Sequence, residues 1–405
     1  MRMLLVTMPT LSHFHHLVPV ATAARALGHE VTFASSDRFV PTIARYGFDA
    51  VGYRPHPDPE APPRGVANLR SSESLSFPEP SVCYMLGQRP LSAVHRLTAL
   101  ITHTRVHLVV RDSTELIAAL AADRVGVPHA AVTTSPLSVL PAQRALLAEM
   151  MAAVRQRMRG PYTRTDDLAI GDDLPPVVYA AWGPRPRTIV PFAHSTVVRP
   201  AEVVPAWLGA LPPRPTIYIA FGTTVEAGTA RLLRILRAIA SQPVRTNVIV
   251  AGGRSATDVL RGLARRYLPD VVIEPFLPQR AILRTASLMV THGGITSVKE
   301  ALAAGVPMVF VPTVNDTSVI AERCAQLGLG VRVAGTSSSA ELARAIAHVL
   351  DSDSIRRMVR AFRDEMASMP PVDHFVERLA QLVPTGDRRR RRNLRHVGTG
   401  AGCLG

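Results

Sequence analysis

Two doubly wound α/β domains facing each other across a cleft are what this 405-residue sequence predicts. Three observations carry the prediction. Short apolar runs of strand length alternate with longer runs of helical periodicity in both halves of the chain, the pattern of a parallel sheet covered on both faces. The first helical run ends on a glycine. Between the halves, prolines at 200, 205, 212, 213 and 215 reach a density that the interiors of sheets and helices do not accept.

The elements follow in order. Residues 3–8 (Met-Leu-Leu-Val-Thr-Met) form an apolar run of buried-strand length. A loop comes next, then helical spacing from about Leu17 to Leu27, closed by Gly28. The β-branched run from Glu30 to Ala34 completes a strand–helix–strand unit. His107 to Val110, Thr114 to Ala122 and His129 to Thr133 repeat the alternation. After the Pro-rich stretch a second series begins. Thr216 to Ala220 and Asn247 to Ala251 predict strands flanking a helix over Ala230 to Ala240, and Leu288 to Thr291 and Met308 to Val311 flank a helix over Ser297 to Ala303. Residues 371–383 show i, i+3, i+4 apolar spacing and predict a last helix. The expected division is a first domain over 1–199, a linker over 200–215, a second domain over 216–370, a C-terminal helix over 371–384 and a basic tail over 385–405. Arg54 to Glu79 lacks periodicity and reads as a loop at the cleft mouth.

Composition narrows the function classes. The hydrophobic share of 47% supports two real cores and excludes a disordered chain. The formal net charge of +15 raises the question of nucleic acid, but part of it sits in the tail as Arg388–Arg392 with Arg395 behind, and the remaining arginines lack interleaved aromatics. A solvated tail is the reading, with no nucleic-acid partner. Lys299 is the only lysine. Cys83, Cys324 and Cys403 are odd in number and without C-x-x-C spacing, which suits a reducing cytoplasm and neither a disulfide scaffold nor a cysteine metal site. No run approaches the ~20 apolar residues of a membrane span. A cytoplasmic monomer or homodimer is expected.

The most informative segment runs Val290-Thr291-His292-Gly293-Gly294-Ile295-Thr296-Ser297. A strand ends, two glycines follow and a helix opens. Glycines admit close approach to the backbone, and free N–H groups at a helix N-terminus carry partial positive charge, so this junction suits a phosphate. Downstream, Gly305-Val306-Pro307 ends the helix, a strand runs to Pro312, and Asn315, Asp316 and Thr317 stand at its carboxyl end beside the phosphate loop.

This whole stretch resembles the donor-binding motif of inverting glycosyltransferases with two Rossmann-like domains, the GT-B type, which includes macrolide and antibiotic glycosyltransferases. The pattern H-x-G-x-x-[ST]-x-x-E-x-x-x-x-G-V-P followed by P-x-x-x-[DE]-Q is met at His292, Gly294, Ser297, Glu300, Gly305, Val306, Pro307, Pro312 and Asp316. The resemblance implies roles. His292, the Gly294 backbone and Ser297 would hold the diphosphate, Glu300 the ribose and Asp316 the donor sugar. Phe276-Leu277-Pro278-Gln279 is similar to the family's aromatic-x-P-Q, so Phe276 would stack on the base and Gln279 would reach base or ribose. Phe221-Gly222-Thr223 resembles the family's F-G-[ST] loop, placing Thr223 near the phosphates. The family's Gln is replaced by Thr317, a small hydroxyl residue of the kind found in enzymes that use deoxysugars, whereas Glu300 favours the two ribose hydroxyls of UDP. Both UDP and dTDP sugars stay open as donors.

The reaction needs a base for the acceptor hydroxyl, and a neutral imidazole backed by a carboxylate supplies one near pH 7. His13, His15 and His16 follow the first strand. The family's catalytic histidine lies fifteen positions before the glycine of a G-H-x-V turn, here Gly28-His29-Glu30-Val31, which selects His13. Ser12 and His16 stand where the family carries Gly and Pro. Asp112, closing the run from His107, is the expected orienter of His13, the alternative being a cap for the helix starting near Thr114. The implied scheme uses the nucleotide-sugar as substrate, with no metal and no further cofactor, and acts on a small apolar acceptor held around Arg54–Gln88 and Ser135–Arg159. A glycolipid transferase at the membrane surface and a catalytically silent nucleotide-sugar binder are the other readings.

Overall fold

The computed structural model describes residues 1–54, 90–132, 168–170, 203–222, 228–253, 257–313 and 317–383. Six parallel strands build the first sheet: β1 (Arg2–Val6), β2 (Glu30–Ser36), β3 (Asp49–Arg54), β4 (Leu108–Asp112), β5 (His129–Val132) and β6 (Leu168–Ile170). Their spatial order is β3-β2-β1-β4-β5-β6. The second sheet holds β7 (Thr216–Ala220), β8 (Asn247–Ala251), β9 (Val272–Glu274), β10 (Leu288–Thr291), β11 (Met308–Phe310) and β12 (Gly330–Arg332) in the order β12-β11-β10-β7-β8-β9. Counted from its own first strand, the second sheet repeats the order of the first. In each the strand order reverses once, between β1 and β4 and between β7 and β10. At such a reversal the two connections leave in opposite directions and open a crevice at the carboxyl ends of the strands.

The strands read as continuous apolar runs because both faces are covered. In β1, Met3 and Leu5 face one core and Leu4 and Val6 the other, the two-residue alternation of a strand. Helices α1 (Leu11–Ala26), α2 (Val40–Ala44), α3 (Pro90–His103) and α4 (Leu116–Val125) supply the covering layers. In the second half, α5 (Thr229–Ala240), α6 (Thr257–Ala264), α7 (Gln279–Leu283), α8 (Ile295–Ala304), α9 (Thr317–Gln326), α10 (Ser339–Asp351) and α11 (Asp353–Ser368) surround the second sheet.

Two expectations need correction. The first helix starts at Leu11, not near Leu17, so the histidines stand in its opening turns and not in a loop. Phe14, Leu17, Val18 and Ala21 are all buried, and their i, i+3, i+4, i+7 spacing extends the apolar stripe towards the N-terminus. Pro19 lacks the N–H that would reach the carbonyl of His15, yet the helix runs through it. The helix after β4 begins at Leu116, two residues later than expected, because the preceding residues are held by the Asp112 side chain.

The last helix, α12 (Val372–Ala380), does not stay with the second sheet. Phe375, Val376 and Leu379 bury themselves in the first domain's core among Phe14, Leu17 and Phe33. The chain therefore crosses back after α11 and straps α1, the helix that carries the histidines.

Candidate active site

The two sheet reversals each bring one pair of loops together. At the first, β4 ends on Asp112, which is fully buried. Its Oδ1 accepts the Thr114 N–H at 2.8 Å and the Thr114 hydroxyl at 2.7 Å. Its Oδ2 accepts the Met8 N–H at 3.3 Å and lies 2.6 Å from His13 Nδ1. One Asp112 oxygen thus meets the imidazole and the other holds the turn before α4; the helix itself starts from Glu115 without a side-chain cap, so Asp112 is not its cap. A ring nitrogen this close to a carboxylate carries the proton, which leaves Nε2 as the acceptor nitrogen. The His13 side chain keeps 22% of its surface exposed.

The neighbouring histidines divide. His15 is buried, its Nε2 lying 2.8 Å from the Tyr46 hydroxyl within the first domain. His16 reaches the other domain: its Nε2 lies 3.3 Å from Thr296 Oγ1 and its Nδ1 3.4 Å from Lys299 Nζ. The two contacts hold the His16 ring against the first turns of α8. The chain's single lysine is buried in this contact.

At the second reversal His292 follows β10 and Phe221-Gly222 follows β7. The His292 ring is held in a slot between two glycine backbones. A Cβ on Gly294 would stand 2.6 Å from Nε2, and one on Gly222 3.0 Å from Cε1. Gly222 also sits at φ +76, where other residues are strained. The Phe221 ring stacks on the imidazole with centroids 6.1 Å apart. Burial and then the positive Arg231 push the His292 pKa down to about 4, so the ring is neutral at pH 7. Gly294 opens α8 without any side-chain cap, and the first turn carries no acidic residue, so the helix's leading N–H groups and positive end meet nothing from their own helix.

A consequence for stability follows from His292. An unfolded histidine takes its proton near pH 6.5, the folded one only near 4, so stability is full above 6.5 and lost as pH falls through that window. Melting temperatures recorded from pH 7 to 4 should fall less steeply in His292→Gln than in the parent protein. Parallel curves would remove this contribution.

Around α8 the nucleoside candidates converge. Gln279 Nε2 donates to Glu300 Oε2 at 2.6 Å and to Ser297 Oγ at 3.4 Å, while its Oε1 accepts the Tyr218 hydroxyl at 3.4 Å. Phe276 is 53% exposed, which excludes the core role that most phenylalanines have. Thr317 is buried, and its hydroxyl accepts the Thr313 N–H at 3.3 Å, tying Thr313 to the first residue of α9. Thr223 and Asp316 lie outside the described residues, as do 55–88 and 135–159 of the expected acceptor region.

Sequence reasoning passed over Thr114, Tyr218 and the reach of His16. The run Asp112-Ser113-Thr114 carried a signal for the first, since Asp and Ser/Thr side chains bond the backbone two residues on. Tyr218 lies inside an apolar strand and offered none. Among the described residues no group of three or more His, Cys, Asp or Glu side chains is placed to hold a metal ion, and no helix is long and apolar enough to cross a membrane.

Two doubly wound parallel sheets, each reversing strand order once, make up the GT-B fold, and the chain is a glycosyltransferase by its likenesses. Its likenesses are to antibiotic glycosyltransferases. Residues 244–382 match the model of the erythromycin biosynthesis protein CIII-like C-terminal domain. The L-demethylnoviosyl transferase of Streptomyces niveus is 27% identical over 94% of this chain and 98% of its own length. Among solved structures, the glycosyltransferase SnogD from Streptomyces nogalater superposes with a TM-score of 0.75 at 25% identity, covering 95% of this chain and 99% of its own. Spinosyn rhamnosyltransferase SpnG complexed with thymidine diphosphate shares the fold with a TM-score of 0.76 at 20% identity, covering 94% and 100%.

Proposed function

We propose that this enzyme transfers a deoxysugar from a dTDP donor, with inversion, to a hydroxyl of an apolar natural-product acceptor. The observation that carries the reading is the 2.6 Å contact between His13 and Asp112, on a helix whose neighbouring His16 touches the donor-side helix α8. His13 Nε2 takes the acceptor proton as the acceptor oxygen bonds to the anomeric carbon, and Asp112 stabilises the imidazolium. The bond from the anomeric carbon to the diphosphate oxygen breaks in the same step. The charge left on the diphosphate falls to the leading N–H groups of α8, to Ser297 and to His292.

The relatives support dTDP over UDP, one being named for transfer of demethylnoviose and one structural neighbour being complexed with thymidine diphosphate. Glu300, which accepts Gln279 at one oxygen, keeps acceptor sites for a ribose hydroxyl. Calorimetric titration should find tighter binding of dTDP than of UDP. Equal or stronger UDP binding overturns the nucleotide, and no binding of either overturns the donor assignment. Turnover of a dTDP-deoxysugar against a panel of apolar aglycones then tests the transfer itself.

A further inference from the structure

Four buried side-chain atoms without a hydrogen-bond partner among the described residues collect near the carboxyl ends of adjacent strands: Nε of Arg231 and of Arg234, Nδ1 of His292 and Oγ1 of Thr313. Arg231 stands in the first turn of α5, which follows β7; His292 follows β10; Thr313 follows β11, and β10 lies between the other two in the sheet. A buried polar atom without a partner costs stability, so a cluster of them at one crevice marks groups held for a ligand.

The charge balance says which kind. Arg231 extends from α5 towards the end of β11, where a Cβ on Gly335 would meet its Nη2 at 3.9 Å and the Pro312 carbonyl oxygen at 2.8 Å. Arg234, one turn further along α5, donates to the Gly335 carbonyl at 2.9 Å. Each arginine therefore reaches Gly335, no carboxylate is within ion-pair distance of either among the described residues, and α5 has no acidic residue in its first turn. Burial and the neighbouring Arg234 both act against the Arg231 charge. A guanidinium retained under those conditions calls for a compensating anion, and none of the described residues supplies it.

We propose that Arg231 binds the donor diphosphate, facing the N-terminus of α8 across the His292 slot, so that the leaving group is held between a helix end and a permanent cation. Guanidinium offers a planar fork of donors to phosphate oxygens, whereas neutral His292 contributes a hydrogen bond without charge. This assignment rests on the donor site proposed above and adds to it the residue that carries full positive charge.

Arg231→Gln and Arg231→Lys in the full chain, titrated calorimetrically with thymidine diphosphate, thymidine and inorganic pyrophosphate, test it. Arg231→Gln should weaken thymidine diphosphate and pyrophosphate by about 10- to 100-fold, a charged hydrogen bond's contribution, while thymidine binds within about twofold of the parent. Arg231→Lys keeps the charge without the fork and should lie between the two. Thermal melting of the Gln variant should match or exceed the parent's, because an uncompensated, half-buried charge has gone. Thymidine diphosphate affinity within about threefold of the parent in Arg231→Gln overturns the proposal, and so does equal weakening of thymidine. If Arg231→Gln fails to fold, the Lys variant decides: parental affinity for thymidine diphosphate and pyrophosphate together, with no change in its salt dependence, overturns the fork. A parent protein that binds pyrophosphate but neither nucleotide overturns the donor reading while leaving the anion site standing.

Discussion

His13→Ala should lower turnover by about 10³- to 10⁴-fold and leave thymidine diphosphate affinity within about twofold, the pattern of a group used only in the transition state. The separation of effects follows from where the residue stands. His13 lies at the first sheet reversal on α1, whereas the groups assigned to the nucleotide lie beyond β7, β9 and β10 of the second sheet. Asp112→Asn should approach the same loss. An amide keeps an oxygen for the Thr114 contacts but turns a donor towards His13 Nδ1, and the imidazole must then carry its proton on the nitrogen meant to receive one. Steady-state kinetics with saturating donor read both. Turnover within tenfold of the parent in His13→Ala would take the base elsewhere, and His16 is then the next residue to replace.

Gly294→Val should abolish measurable nucleotide binding, a loss of about 100-fold or more, with the fold intact. Even the first carbon of a side chain would stand 2.6 Å from His292 Nε2 and 2.7 Å from Cε1. On its other side the ring lies against the Gly222 backbone, where an added Cβ would stand 3.0 Å from Cε1. The imidazole is therefore displaced from the slot, or the start of α8 is, and either change removes donors from one end of the diphosphate. Calorimetry and circular dichroism on the same sample separate the site effect from unfolding. Parental affinity for thymidine diphosphate in a folded Gly294→Val would show that His292 and α8 do not hold the phosphates.

Much of the architecture was legible because its causes are local. Thr216 to Ala220, Asn247 to Ala251 and Leu288 to Thr291 stand in the structure with the boundaries read from their apolar runs, since a strand buried on both faces shows its ends wherever polarity returns. The start of α1 was not legible. Three histidines and a proline mask an apolar stripe that becomes visible only once Phe14 and Leu17 are known to face the same core. The return of α12 to the first domain was equally hidden, because amphipathic spacing states that a helix packs but not on which partner. For the site, motif spacing marked His13, Asp112, Gln279, His292 and Glu300, and the structure brings His13 against Asp112 and Gln279 against Glu300. The contact of His16 with Thr296 and Lys299 spans 280 and 283 positions, and only the folded chain reveals it. Arg231 was invisible for a different reason: among so many arginines, one without a carboxylate partner looks like the rest until its surroundings are known.

The solitary lysine gives the molecule a built-in reporter. Its amine is shielded at the seam where His16 meets α8, and no other side chain in the protein offers a primary amine. Acylating reagents that seek such groups would thus find their side-chain target only when the seam parts, so the extent of modification at one position counts how often the halves of the enzyme come open.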